Sequence, residues 1–182
     1  MGEKVTKPNI NGYVATSNYF SFNKANENLT LIGGNCNITK KINVSLAIGN
    51  DCTTDFKTTK NKPAIEAKIK YNLNKNLNIQ SRFREIGGSE QYRLAFGGSH
   101  GIDKNNSLYW ALHGTCKDNH NEYKLNTGGW LGVSHKCKNG IIVSGEFQQN
   151  VPLNSTNKNI WQTLADFKSS DKMASVFVII PF

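Results

Sequence analysis

Between Pro63 and Arg93 the sequence alternates so strictly that it dictates strands. Ile65, Ala67, Ile69, Tyr71 and Leu73 alternate with Glu66, Lys68, Lys70 and Asn72. After Asn74-Lys75-Asn76 the pattern resumes, with Leu77, Ile79, Ser81 and Phe83 between Asn78, Gln80, Arg82 and Arg84. Period two gives each strand one apolar and one polar face. Closing the hairpin on Asn74 sets Tyr71 opposite Leu77, Lys68 opposite Gln80 and Glu66 opposite Arg82. Faces then match like to like, which specifies the register. A second turn at Gly87-Gly88 sets Phe83 opposite Leu94 and Arg84 opposite Arg93. Three antiparallel strands with an oily and a charged face are expected, and most of the chain repeats this unit.

Further strands are expected at Gly12–Phe22, Leu29–Thr39, Ile42–Gly49, Gln91–His100, Leu108–Cys116, Glu122–His135, Ile141–Gln148, Ile160–Lys168 and Ala174–Phe182. No helix is expected, and residues 1–10 read as an arm or short strand. Gly33-Gly34 suggests a bulge. Setting Ile38 opposite Ile42 puts Cys36 beside Val44 on an apolar face, as a small buried hydrophobe. The count is about eleven strands, and single-chain barrels of bacteria have even numbers, so ten or twelve are expected. Short turns at 40–41, 74–76, 103–106, 136–140 and 169–172 alternate with longer polar loops at 51–62, 117–121 and 150–159. The short 87–90 connection is the exception. Tight turns at one end and loops at the other are the asymmetry of transmembrane β-barrels.

The 182 residues fit a single domain, 1–182. Only 37% are hydrophobic and the mean hydropathy is −0.50. The polar residues alternate with apolar ones rather than gathering in tails, which argues against disorder and for a wall with two different faces. Net charge is +9 and the pI about 9.4. Such a balance reads either as a lysine- and asparagine-rich background or as attraction to anionic lipid headgroups, acidic sugars or nucleic acid. No helix-turn-helix, RNP-type aromatic pair or zinc knuckle is present, so nucleic acid is not expected as a partner. Cys36, Cys52, Cys116 and Cys137 lack CxxC spacing, so no metal cluster is expected, while an oxidising compartment would allow up to two disulfides. No apolar run approaches the roughly 18–20 residues of a membrane helix. No secretory leader is read at the start.

The last expected strand carries Ala174, Val176, Val178, Ile180 and Phe182 at alternate positions and ends on the aromatic. This resembles the C-terminal insertion signal of Gram-negative outer-membrane β-barrel proteins, with small porins and oligosaccharide-uptake channels the nearest general likeness. The signal covers nine residues; the strand-and-loop pattern covers most of the chain. The resemblance implies an all-β, antiparallel up-and-down (meander) barrel of about 10–12 strands in the cell outer membrane. Its surroundings would be the lipid bilayer and lipopolysaccharide. Four cysteines are many for such a protein. Tyr71, Tyr92, Tyr123, Phe147, Trp161, Phe167 and Phe182 lie near strand ends, where interfacial girdles form. A secreted soluble barrel or sandwich is the alternative. The two differ in where Ile65, Ile69, Phe83, Leu94, Trp110, Leu125 and Val178 point: outward to lipid, or into a closed core.

On the polar face Arg82, Arg84 and Arg93 are expected to cluster, with Lys68 and Lys70 one strand away and Glu66 opposite Arg82. Such a row of forked donors suits carboxylates, sulfates or phosphates. The expected function is a small porin or channel that passes or binds small anionic or acidic solutes. The competing reading has Glu66, Glu85, Glu90 and Glu146 neutralise the arginines and plug a narrow barrel. The loops would then do the work, in structure or surface binding. Of the four histidines, His100 and His135 each follow a serine, but adjacent strand residues point to opposite faces. No GxSxG or HExxH occurs. An outer-membrane enzyme, such as a lipid A deacylase or protease, is therefore the least favoured reading, and neither cofactor nor metal is expected.

Overall fold

Ten strands, each antiparallel to the next in sequence, make up this protein in a computed structural model that describes residues 9–21, 26–54, 58–118, 123–153 and 171–182. They are β1 (Asn9–Ser21), β2 (Asn26–Asn37), β3 (Ile42–Thr54), β4 (Thr59–Asn72), β5 (Leu77–Ile86), β6 (Ser89–Gly101), β7 (Asn106–Asp118), β8 (Tyr123–Lys136), β9 (Ile142–Pro152) and β10 (Asp171–Pro181). β10 pairs with β9 on one side and β1 on the other, so the sheet closes into an up-and-down barrel. The even count resolves the expectation of ten or twelve. The strand expected at 160–168 lies outside the described residues.

Two hairpin registers differ from expectation, each by two residues. Across β4 and β5, Tyr71 faces Ile79, Lys70 faces Gln80, Lys68 faces Arg82 and Glu66 faces Arg84. The turn centres on Lys75 rather than Asn74. The Asn74 carboxamide oxygen accepts the Asn76 and Leu77 amides at 2.8 and 2.9 Å, which holds the four-residue turn Leu73–Asn76 between β4 and β5. Across β5 and β6, Phe83 faces Tyr92, Arg84 faces Gln91 and Arg82 faces Arg93. Gly87 and Gly88 have φ of 54° and 83°, the left-handed region at both central positions of a two-residue hairpin. That tight turn carries the ladder to Ile86–Ser89 and draws the partners two residues closer. Both slips are even, so no side chain changes face. The Cys36–Val44 register is as expected.

No bulge forms at Gly33-Gly34, because both residues pair regularly with β1 and β3. A Cβ on Gly33 would lie 2.4 Å from the Leu46 carbonyl oxygen, so glycine here serves close backbone approach. The stretch 51–62 is mostly strand rather than loop: β3 runs to Thr54 and β4 starts at Thr59, its mate in the register. Lys117-Asp118 and Asn150–Pro152 likewise extend β7 and β9. These segments are polar because they stand beyond the apolar band of the wall, not because they leave the sheet.

That band faces outward. Ile48 is 67% exposed and Leu94 61%, whereas Glu66 is 2% and Arg82 8% exposed. Ile65, Ile69, Trp110 and Leu125 share the exposed outer side, and Phe83 and Val178 are half-buried on it. A soluble barrel has the opposite arrangement. With apolar side chains outside and charges inside, the fold is a transmembrane β-barrel. Its rims carry outer-wall aromatics. Tyr92, stacked on Phe83 with centroids 5.1 Å apart, and Tyr123 lie toward one end, Tyr71 and Phe182 toward the other. Phe147 sits in mid-strand and belongs to the wall rather than a girdle. Trp161 and Phe167 lie outside the described residues.

Candidate lumen site

Period two places the even residues of β4 and β5 and the odd residues of β6 on the inner wall. Glu66, Lys68, Lys70, Arg82, Arg84 and Arg93 therefore all face the lumen, as expected. Their partners differ from the expected ones. Glu66 pairs with Arg84, not Arg82: its Oε2 accepts from Arg84 Nε at 2.7 Å and from Nη2 at 2.5 Å. Its Oε1 lies 2.6 Å from Lys68 Nζ. One buried carboxylate thus serves two cations. Leu29, Leu31, Ala47 and Ala64 form an apolar patch inside the lumen, with Tyr19 packed against it. Tyr19 and Arg84 lie together at this level of the lumen.

Arg82 and Arg93, rather than Arg84 and Arg93, are the cross-strand neighbours. Arg82 Nη2 donates to Gln91 Oε1 at 2.5 Å, and its Nε meets no protein acceptor. Arg93 Nε donates to Thr115 Oγ1 at 3.2 Å, and its guanidinium lies over Trp130, 5.4 Å from the ring centre. Among the described residues neither arginine has a salt bridge to a carboxylate. Glu146, the acid that alternation could bring near, faces the lumen from β9, where its charge acts on Arg93 and Arg82 without forming a salt bridge. Lys70 stands apart from the cluster, beside Gln80, Tyr109 and Trp130 nearer the turns.

The cationic layer separates two cavities. One, of about 460 Å³, lies toward the short turns and is lined by Tyr13, Ser45, Glu66 and Lys68. The other, of about 200 Å³, opens toward the opposite rim and is lined by Arg82, Gln91, Arg93, Thr115 and Lys117. Tyr19 and Arg84 line both. The layer can present unpaired guanidinium donors to an anion on one side while the Glu66 carboxylate is turned to the other.

Tyr19, His113, Thr115 and Trp130 were not singled out from the sequence. Trp130 was within reach: Leu131 and Val133 point out, so their neighbour points in. Tyr19 sits in a stretch of weak alternation that offered no such signal. His113 Nδ1 lies 3.1 Å from Thr115 Oγ1 and its ring 5.2 Å from Trp130. His135 Nδ1 lies 2.8 Å from Asn106 Oδ1. Among the described residues no histidine meets both a serine and a carboxylate, and no three metal-ligating side chains gather. Cys36, Cys52, Cys116 and Cys137 are free thiols.

No family model matches the chain, and no curated protein matches it. Among solved structures, the chain is similar to the NanC porin, with 11% identity, 94% of this chain and 97% of that one covered, and a TM-score of 0.43. It is similar to the outer-membrane protein OmpT of Vibrio cholerae at 11% identity, covering 92% of this chain, with a TM-score of 0.38. It is similar to an anion-selective porin from Comamonas acidovorans at 14% identity, covering 92% of this chain, with a TM-score of 0.39. The chain spans 64% of that OmpT structure and 59% of the Comamonas porin. What assigns the fold is the chain's own ladder: a closed, ten-stranded, all-antiparallel transmembrane β-barrel.

Proposed function

We propose that the protein is an outer-membrane channel of a Gram-negative cell that passes or binds small anionic solutes, without catalysis. The observation that carries this reading is the Arg82–Arg93 pair. Like charges directly opposite in a sheet are destabilising. Here they stand in the lumen with an amide and a hydroxyl as partners, while Glu66 is occupied by Arg84 and Lys68. A carboxylate or phosphate at this level would supply the missing countercharge.

The test is reconstitution in planar bilayers under a potassium chloride gradient. The parent should conduct with a reversal potential on the anion side, and Arg82→Ala/Arg93→Ala should lose that preference. A conducting parent whose selectivity is unchanged in the double variant would refute the arginine site.

A plugged barrel that anchors or binds through its loops is the second reading. Its support is the Tyr19–Arg84–Glu66 group standing between the two cavities. A parent that inserts but never conducts would decide for it.

A further inference from the structure

Three connections at one rim are built alike. Ile38-Thr39-Lys40-Lys41, Leu73-Asn74-Lys75-Asn76 and Ile102-Asp103-Lys104-Asn105 each begin with an aliphatic residue and carry lysine third. In each, the amides of the first two residues converge on one carbonyl: Ile42 for the first turn, Leu77 for the second, Asn106 for the third. In each, the second residue's side-chain oxygen accepts the amides two and three positions on. The side-chain acceptor holds the loop closed, so the side chains of the first and third residues take no part in making the turn. Alternation continued from Cys36, Tyr71 and His100 sends Ile38, Leu73 and Ile102 to the outer wall, where they are 51%, 42% and 63% exposed. The lysines that follow are exposed.

Charge at this rim is one-sided. Lys40, Lys41, Lys75, Lys104, Lys136 and Lys138 stand there, and among the described residues Asp103 is its one acid. The Asp103 carboxylate is engaged by the Asn105 and Asn106 amides and the Asn106 side chain. The other rim mixes Glu27, Asp51, Glu85, Glu90 and Asp118 with lysines. An exposed aliphatic side chain two residues before an exposed ammonium, repeated around an arc of the rim, matches the boundary where acyl chains meet phosphates.

We propose that this rim is a collar for anionic phospholipid headgroups: Ile38, Leu73 and Ile102 enter the acyl boundary while Lys40, Lys75 and Lys104 reach the lipid phosphates. The collar rests on the reading that the outer wall faces lipid, and it is independent of what the lumen carries.

Tryptophan quenching by brominated lipids tests it, because Trp110 lies on the outer wall in β7, close to this rim. A Trp161→Phe background removes the tryptophan that lies outside the described residues. The protein is placed in phosphatidylcholine vesicles containing either dibromo-phosphatidylcholine or dibromo-phosphatidylglycerol. The parent should take phosphatidylglycerol about tenfold or more in preference, since surface lysines are drawn to an anionic leaflet. Lys40→Gln/Lys75→Gln/Lys104→Gln should bring the preference close to one. Lys60→Gln/Lys124→Gln at the other rim should keep it. Equal quenching of the parent by both lipids, or a preference that survives the triple substitution, overturns the collar. Quenching by neither lipid would instead overturn the lipid-facing wall.

Discussion

Arg82 on β5 and Arg93 on β6 stand directly opposite each other on the inner wall, and neither reaches a carboxylate. Two guanidinium groups so placed lower the stability of the ladder that brings them together. Arg82→Gln removes the repulsion and keeps a side chain able to bond Gln91. It should raise stability by about 0.2–1 kcal/mol while reducing anion preference. Urea unfolding followed by gel mobility, alongside reversal potentials, reads both effects. A loss of stability would show that the pair is not strained.

Glu66 should behave in the opposite way. Its carboxylate lies between Arg84 and Lys68 and is almost wholly buried. Glu66→Gln leaves two cations without a countercharge and should cost about 3–5 kcal/mol. Coupling Glu66→Gln with Arg84→Met should cost less than the two single changes added together, as contacting residues do. Additive losses in the same unfolding assay would mean that the pair is not energetically linked.

Gly33 and Gly34 are neighbours with different reasons for being glycine. A Cβ on Gly33 would meet the Leu46 carbonyl oxygen at 2.4 Å and Ala47 at 2.6 Å, while one on Gly34 would find its nearest atom at 3.7 Å. Gly33→Ala should therefore destabilise the barrel by about 1–3 kcal/mol, the range for overpacking, and Gly34→Ala should be neutral or better. Equal effects of the two changes would contradict the close approach of β2 and β3.

The 102–105 turn should survive acid better than an ordinary aspartate turn. Hydrogen bonds from the Asn106 side chain and the Asn105 and Asn106 amides hold the Asp103 carboxyl below its usual 3.8. A depressed carboxyl adds stability that is present above the unfolded-state value and fades as pH falls through the folded one. Amide resonances of Asn105 and Asn106 should accordingly titrate with a midpoint under 3.8, and Asp103→Asn should abolish the titration. A midpoint at or above 3.8 would remove the bonding that defines this turn.

Much of this architecture was legible because it rests on parity. Alternation in Ile65–Leu73 and Leu77–Phe83 fixed which side chains face in, and the six charged residues expected together on one face are on that face. What parity cannot resolve is distance along the strand. The Asn74 side chain and the left-handed Gly87-Gly88 pair decide where each turn closes, and each moved the ladder by two. That exchanged Glu66's partner from Arg82 to Arg84 and left Arg82 rather than Arg84 opposite Arg93. Polar composition misled at 51–62, where strand ends that project past the apolar band look like loop. Tyr19 was beyond reach because it comes from a strand with weak alternation and meets Arg84 across the lumen.

The two-residue slips have an evolutionary consequence. A hairpin that gains or loses length at the rim in even steps never turns a charge toward the hydrocarbon, so the change escapes the strongest penalty a membrane wall imposes. It nevertheless re-matches the ionic partners inside. Lengthening the Leu73–Asn76 connection would slide Glu66 along β5 from one guanidinium to the next, and replacing the Gly87-Gly88 reversal by a wider one would slide Arg93 along β5 in the same way. Descendants of this chain could thus rewire the charges at mid-pore by edits confined to its rims, leaving every residue of the wall as it is.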